Sequence, residues 1–210
     1  MPIYLLLKFF AHYEVEGQEN LKGLEDKAVI FASNHASYID GPVSAVSMPR
    51  NGFVPQKFFP IRFLVAKEFF GLKGQFPFPL SVFAAIFVRL NGSIPIKRKM
   101  EGLHRRLDDA VNALEMGNKI WIYPEGRITT DGRFIRPGKK GIIYLHKETN
   151  SPIVPVGLIG TYNLSFFKTI LRRSRVKVKI GKPIYNLESS DLQEGTESVL
   201  DEIEKLIKER

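Results

Sequence analysis

Three apolar runs bound what this chain can fold into: AVIFAS (Ala28–Ser33), KIWIY (Lys119–Tyr123) and IVPVGLIG (Ile153–Gly160). Each is the length of a buried strand and too short for a globular helix. Helical spacing stands between and after them. Leu103, Leu107, Ala110, Val111 and Leu114 recur at the spacing of one helix face, and Gly117 is a natural stop. KKGIIYLHKE (Lys139–Glu148) reads as a second helix, and Val199, Leu200, Ile203, Leu206 and Ile207 mark a last one. Strands alternating with helices predict an α/β fold: a single domain over residues 1–210 with a mixed, mostly parallel sheet flanked by helices.

Shorter signals complete the pattern. YEVEG (Tyr13–Gly17), IRFLVAK (Ile61–Lys67) and SIPIKR (Ser93–Arg98) read as strands. RVKVKIG (Arg175–Gly181) alternates, predicting Val176, Val178 and Ile180 inward with Lys177 and Lys179 outward. Pro42 is placed to open a helix, since proline is tolerated in a first turn.

In such sheets ligands bind beyond the carboxyl ends of strands. Two polar motifs stand there: NHASYID (Asn34–Asp40) after the first apolar run and YPEGR (Tyr123–Arg127) at the end of the second. His35 suits a general base near neutral pH. A carboxylate on its other ring nitrogen fixes the tautomer and stabilises the imidazolium that forms. On one continuous helix, however, a five-residue separation puts two side chains about 140° apart. His35 and Asp40 therefore meet only if His35 precedes the helix and the chain turns between them. The competing reading makes Asp40 a helix cap, within the S-x-x-D pattern Ser37–Asp40.

Other chemistries are excluded by composition. The chain has no cysteine, which removes disulfides, thiolate catalysis and cysteine-rich zinc sites. His12, His35, His104 and His146 are not spaced as a ligand set, so no metal is predicted. No G-x-S-x-G elbow, P-loop or dinucleotide fingerprint is present. The balance of 31 basic against 22 acidic residues, net +9, favours anionic partners. Nucleic acid is not expected among them, because no binding module accompanies the charge.

Residues 53–88 are rich in phenylalanine, and the 15 residues between Lys73 and Arg89 carry no charge. That is short of the roughly 20 apolar residues of a bilayer span. Two readings stand: a buried core hairpin or partner groove, or a patch lying in the membrane interface flanked by Lys57, Arg62, Lys67, Lys73 and Arg89. Residues 1–12, with YLLLKFF (Tyr4–Phe10), read as a short amphipathic anchor rather than a secretory leader.

Taken in order, the motifs resemble the glycerolipid acyltransferases of the 1-acylglycerol-3-phosphate acyltransferase type. NHASYID is similar to that family's first block, N-H-x-S-x-x-D. FLVAKEFF (Phe63–Phe70) with NGSIPIKR (Asn91–Arg98) is similar to the second, G-x-I-x-x-x-R. YPEGR is similar to the third, F-P-E-G-T-R, and IVPVGLIGT (Ile153–Thr161) to the fourth, with RVKVKIGKPI (Arg175–Ile184) as the closing strand. The blocks span roughly residues 13 to 185.

The resemblance implies a glycerol-3-phosphate acyltransferase-like fold and transfer of an acyl group to a lysophospholipid hydroxyl. The donor would be acyl-CoA or acyl carrier protein, with no cofactor. It implies His35 as base and Asp40 as its orienting carboxylate. Arg98, Glu125, Gly126 and Arg127 fall to the acceptor phosphate, with Lys67 and Gly92 towards the oxyanion or acyl donor. A peripheral position on the cytoplasmic face of a membrane follows. One departure bears on the acceptor. Arg127 sits one residue earlier than the arginine of E-G-T-R, a spacing similar to the branch acting on 2-acylglycerophosphoethanolamine. A non-catalytic lipid-binding protein on the same scaffold is the alternative from another class.

Overall fold

A computed structural model describes residues 11–51, 54–55, 57–67, 82, 85–86, 88–89, 92–96, 101–162, 164, 174–187, 189 and 191–209. Its strands are β1 (Ala11–Glu16), β2 (Val29–Ser33), β3 (Arg50–Asn51), β4 (Val54–Pro55), β5 (Ile61–Ala66), β6 (Ile94–Ile96), β7 (Lys119–Ile122), β8 (Ile153–Ile159) and β9 (Ser174–Ile180). Its helices are α1 (Asp40–Val46), α2 (Leu103–Glu115), α3 (Gly141–Thr149) and α4 (Leu192–Lys208).

Among the described residues seven strands form one sheet in the order β1-β9-β8-β2-β7-β5-β6, and β3 and β4 make a separate small ladder. From β8 to β6 all neighbours are parallel. β9 runs antiparallel to β8, and β1 pairs parallel with β9. The mixed, mostly parallel sheet expected from the alternation is the sheet observed.

Both faces of the sheet are covered, which is why the central strands lack alternation. On one face Val29, Phe31, Phe63 and Trp121 pack with Val43 and Val46 of α1. On the other, Ile30, Ala32, Ile120 and Ile122 meet residues of α2, α3 and α4, including Leu107, Ala110, Ile142, Val199 and Leu200. All five residues of β2 are buried. Each large side chain so buried stabilises the fold by about 1.5–3 kcal/mol.

Three expectations change. Lys179 is not outward to solvent: it is buried, and its Nζ donates to the Glu209 carbonyl oxygen just past α4. The covering helix buries the lysine stem while a terminal carbonyl takes the ammonium. The phenylalanine-rich stretch is not a membrane-interface segment from its start. Phe58 and Phe63 lie in the core with Phe59 packed against it, because β5 occupies an inner position of the sheet. Most of residues 68–88, and residues 1–10 of the expected N-terminal anchor, lie outside the described residues. Finally, Arg62 does not flank such a patch: its guanidinium donates to Asn118 Oδ1 and to the Gly92 carbonyl.

Candidate active site

The chain leaves β2 at Ser33 and does not enter α1 until Asp40. The intervening loop folds back, with Asp40 N donating to Ser37 O at 3.2 Å, and Pro42 falls harmlessly in the first turn of α1. This turn brings His35 and Asp40 together: Nδ1 to Oδ2 is 2.9 Å. The same Oδ2 accepts from the backbone N–H of Ala36 at 2.6 Å and of Ser37 at 2.8 Å. Asp40 is therefore not a helix cap. Its carboxylate turns back to the loop, and α1 has no side-chain cap at all.

An ionised carboxylate only accepts hydrogen bonds, so Nδ1 carries the proton and Nε2 keeps its lone pair. Asp40 is fully buried while His35 keeps 20% of its side chain exposed. A fixed tautomer with one basic nitrogen and partial access is what a general base requires.

The second motif builds the other wall. Tyr123 stacks on the His35 ring, with centroids 3.9 Å apart and planes 12° from parallel. Glu125, 2% exposed, spans two backbones. Its Oε1 accepts from His35 N at 2.7 Å and its Oε2 from Ile135 N at 2.9 Å. Thr129 N donates to the His35 carbonyl at 2.9 Å. Burial pushes the Glu125 carboxyl above its ordinary value, against the opposing pull of the Ile135 and His35 amides. Gly126 turns this loop at φ 73°, a left-handed conformation where any side chain is strained. A Cβ there would also stand 2.8 Å from Lys139 Cγ.

The remaining expected residues divide by sheet edge. His35, Glu125 and Lys67 follow the carboxyl ends of β2, β7 and β5 and share one edge. Lys67 is exposed, two strand spacings or about 10 Å from the β2 backbone. Arg127 is exposed beside a surface cavity of about 360 Å³ that Arg133 and Phe134 also line. Arg98 lies outside the described residues.

Gly92 is a correction. It precedes β6, and Leu64 pairs with Ile94. The register therefore places Gly92 level with Arg62 and Ile120, about five residues or roughly 16 Å down the sheet from His35. Its carbonyl is held there by Arg62, so it contributes nothing to an oxyanion at His35.

Sequence reasoning passed over several supporting residues. Asn34 continues the ladder beyond β2, its side chain exchanging two hydrogen bonds with the Leu158 backbone at 2.9 and 2.7 Å. Trp121 Nε1 donates to Ser33 Oγ at 2.9 Å, fixing the strand just before His35. Arg136 closes the loop after Glu125 by bonding Glu197, Asp201 and Glu204 on α4. The acidic stripe at helical spacing on α4 was the legible signal for that contact. Among the described residues no group of His, Asp or Glu side chains gathers as a metal site.

A dyad on one strand end, braced by a Y-P-E-G loop from the next, is matched elsewhere. A family model described as Acyltransferase covers residues 12–159. The chain belongs to the Acyltransferase family.

Within the family, a chloroplastic 1-acyl-sn-glycerol-3-phosphate acyltransferase of Brassica napus is 27% identical over 84% of this chain and 46% of its own. A 1-acyl-sn-glycerol-3-phosphate acyltransferase of Saccharomyces cerevisiae is 30% identical over 60% of this chain and 44% of its own. This chain thus spans about half the length of the curated relatives it matches. The crystal structure of the 1-acyl-sn-glycerophosphate (LPA) acyltransferase PlsC from Thermotoga maritima superimposes with a TM-score of 0.68. It is 24% identical, over 97% of this chain and 76% of that one, and shows a shared fold.

Proposed function

We propose that this acyltransferase moves a fatty acyl group from a thioester donor, acyl-CoA or acyl carrier protein, to the free hydroxyl of a lysophospholipid. The first acceptor is 1-acylglycerol-3-phosphate, giving phosphatidic acid. The observation that carries the reading is the His35–Asp40 pair, with Nδ1 committed to a buried carboxylate. His35 Nε2 takes the acceptor hydroxyl proton as that oxygen attacks the thioester carbonyl carbon. The tetrahedral oxyanion collapses, the carbon–sulfur bond breaks, and the thiolate leaves with the proton from the imidazolium. No acyl-enzyme is required.

Lys67, on the same edge, is the candidate for charge on the oxyanion. Arg127, with Arg98 from the second block, is the candidate for the acceptor phosphate, since the guanidinium fork donates two parallel hydrogen bonds. A peripheral membrane position is supported by where strands meet this edge. β5 ends there and β1 begins there, so the sequences before Ala11 and after Lys67 both join the sheet on the His35 side. No helix among the described residues is long and apolar enough to cross a membrane.

The test is an acceptor panel in vesicles with both donors, read by mass spectrometry. Diacyl product from lysophosphatidic acid is expected, with a loss of at least ~10²-fold in His35→Ala, the usual scale for a general base. Full activity in that variant sinks the mechanism. Vesicle binding without turnover on any acceptor turns the assignment to a lipid-binding protein. The position of Arg127 directly after Gly126 is the reason to include 2-acylglycerophosphoethanolamine, and preference for it redirects the headgroup assignment.

A further inference from the structure

Tyr123 is placed to do more than stack on His35. Among the described residues, three buried side-chain oxygens beside the dyad have no hydrogen-bond partner: Asp40 Oδ1, Ser44 Oγ and Tyr123 Oη. They are neighbours. Asp40 and Ser44 stand four residues apart on α1, hence on one face of it. The Tyr123 hydroxyl lies beside Ser44 and in the field of the Asp40 charge, without completing a bond of good geometry. It is 4.0 Å from where a Cβ on Gly41 would stand, which puts it over the first turn of α1.

The chemistry of the three atoms orders them. Burial first, and then the Asp40 charge, push the Tyr123 hydroxyl well above its usual value, so it stays protonated and donates. A carboxylate oxygen only accepts, and a serine hydroxyl does both by rotating its hydrogen. Buried groups of this kind are nearly always satisfied in folded proteins. We propose that Tyr123 Oη–H donates to Ser44 Oγ and Ser44 Oγ–H donates to Asp40 Oδ1. This hydroxyl relay holds the carboxylate charged and aimed at His35. Tyr123 and Ser44 are then positioning residues, acting through Asp40. The inference rests on the dyad acting as the base in the proposed reaction.

A hydrogen bond donated to a carboxylate favours its charged form. Removing the relay therefore moves the acid limb of the kcat/KM profile to higher pH. Glu125 also faces His35 and Asp40, from the loop after β7, but is intact in the variants below. The experiment compares Tyr123→Phe, Ser44→Ala and the double variant. Each single variant is expected to lower kcat about fivefold, the scale of one net hydrogen bond, with KM unchanged and the acid limb raised. The double variant is expected to lose no more than the worse single one, because the bonds are in series. The low-field Nδ1 proton of His35, read by NMR without substrate, should move in all three. An unchanged Nδ1 signal and acid limb in Tyr123→Phe overturns the relay, as does a double variant whose losses multiply. If no acceptor is turned over but the Nδ1 proton moves, the relay stands and the proposed function falls.

Discussion

At the scale of single residues, the site depends on carboxylates whose oxygens are committed to named donors. Asp40 Oδ2 takes three, from His35 Nδ1 and the amides of Ala36 and Ser37. Asp40→Asn leaves an amide oxygen for the two backbone donors but removes the charge that stabilises the imidazolium. A fall of at least ~10²-fold in kcat is expected in steady-state assays, with circular dichroism unchanged. Glu125 makes a different prediction, because its folded-state value is raised by burial. The stability it contributes is fully present below the ordinary value of 4.5 and is lost as pH rises through the folded value. Glu125→Ala frees the amides of His35 and Ile135, at a cost of about 1–3 kcal/mol. Urea titrations should find that cost larger near pH 4.5 than at pH 8.

At the scale of elements, the loop from Tyr123 to Lys140 is the second half of the site, and it is tied down at both ends. Glu125 fastens its start to His35, and Arg136 fastens its end to α4 through three carboxylates. Those ion pairs are partly exposed, so the network stabilises by only about 1 kcal/mol. Arg136→Ala should lower Tm by about 2–4 °C in a thermal melt, the scaling for a chain of this size. It should also reduce kcat, because the loop carries Glu125 and Arg127. A variant that melts lower with kcat intact separates the loop brace from the site.

At the scale of the whole molecule, charge and apolar sequence act together. Net charge +9 favours anionic surfaces, and under the proposed function the apolar sequence before Ala11 and after Lys67 adds a term for burial in the interface. Cosedimentation with anionic vesicles should weaken as salt rises from about 0.05 to 0.5 M, since the Debye length then falls from near 14 to near 4 Å. A residue of salt-resistant binding should persist from the apolar term. Binding that is complete at both salts assigns attachment to burial alone, and binding abolished by salt assigns it to charge alone.

Much of the fold was legible because local signals agreed. The central strands are continuous apolar runs, the helices keep their spacing, and the alternation of the two leaves few architectures. The His35–Asp40 contact was legible as a condition: five residues on a helix diverge, so a turn had to intervene, and Pro42 marked where the helix resumed. Strand order was not legible, since nothing local says that β9 and β1 reverse beside β8. Gly92 entered through the resemblance, although it precedes β6 and so sits at the opposite sheet edge. Lys179 looked solvent-facing because alternation reports one covered face, and only packing reveals a helix end over the other. By itself the sequence determined that an α/β sheet forms and that two polar motifs, NHASYID and YPEGR, follow its apolar strands. The tertiary structure decided which of them share an edge, because register and strand order are set by long-range burial that no local pattern records.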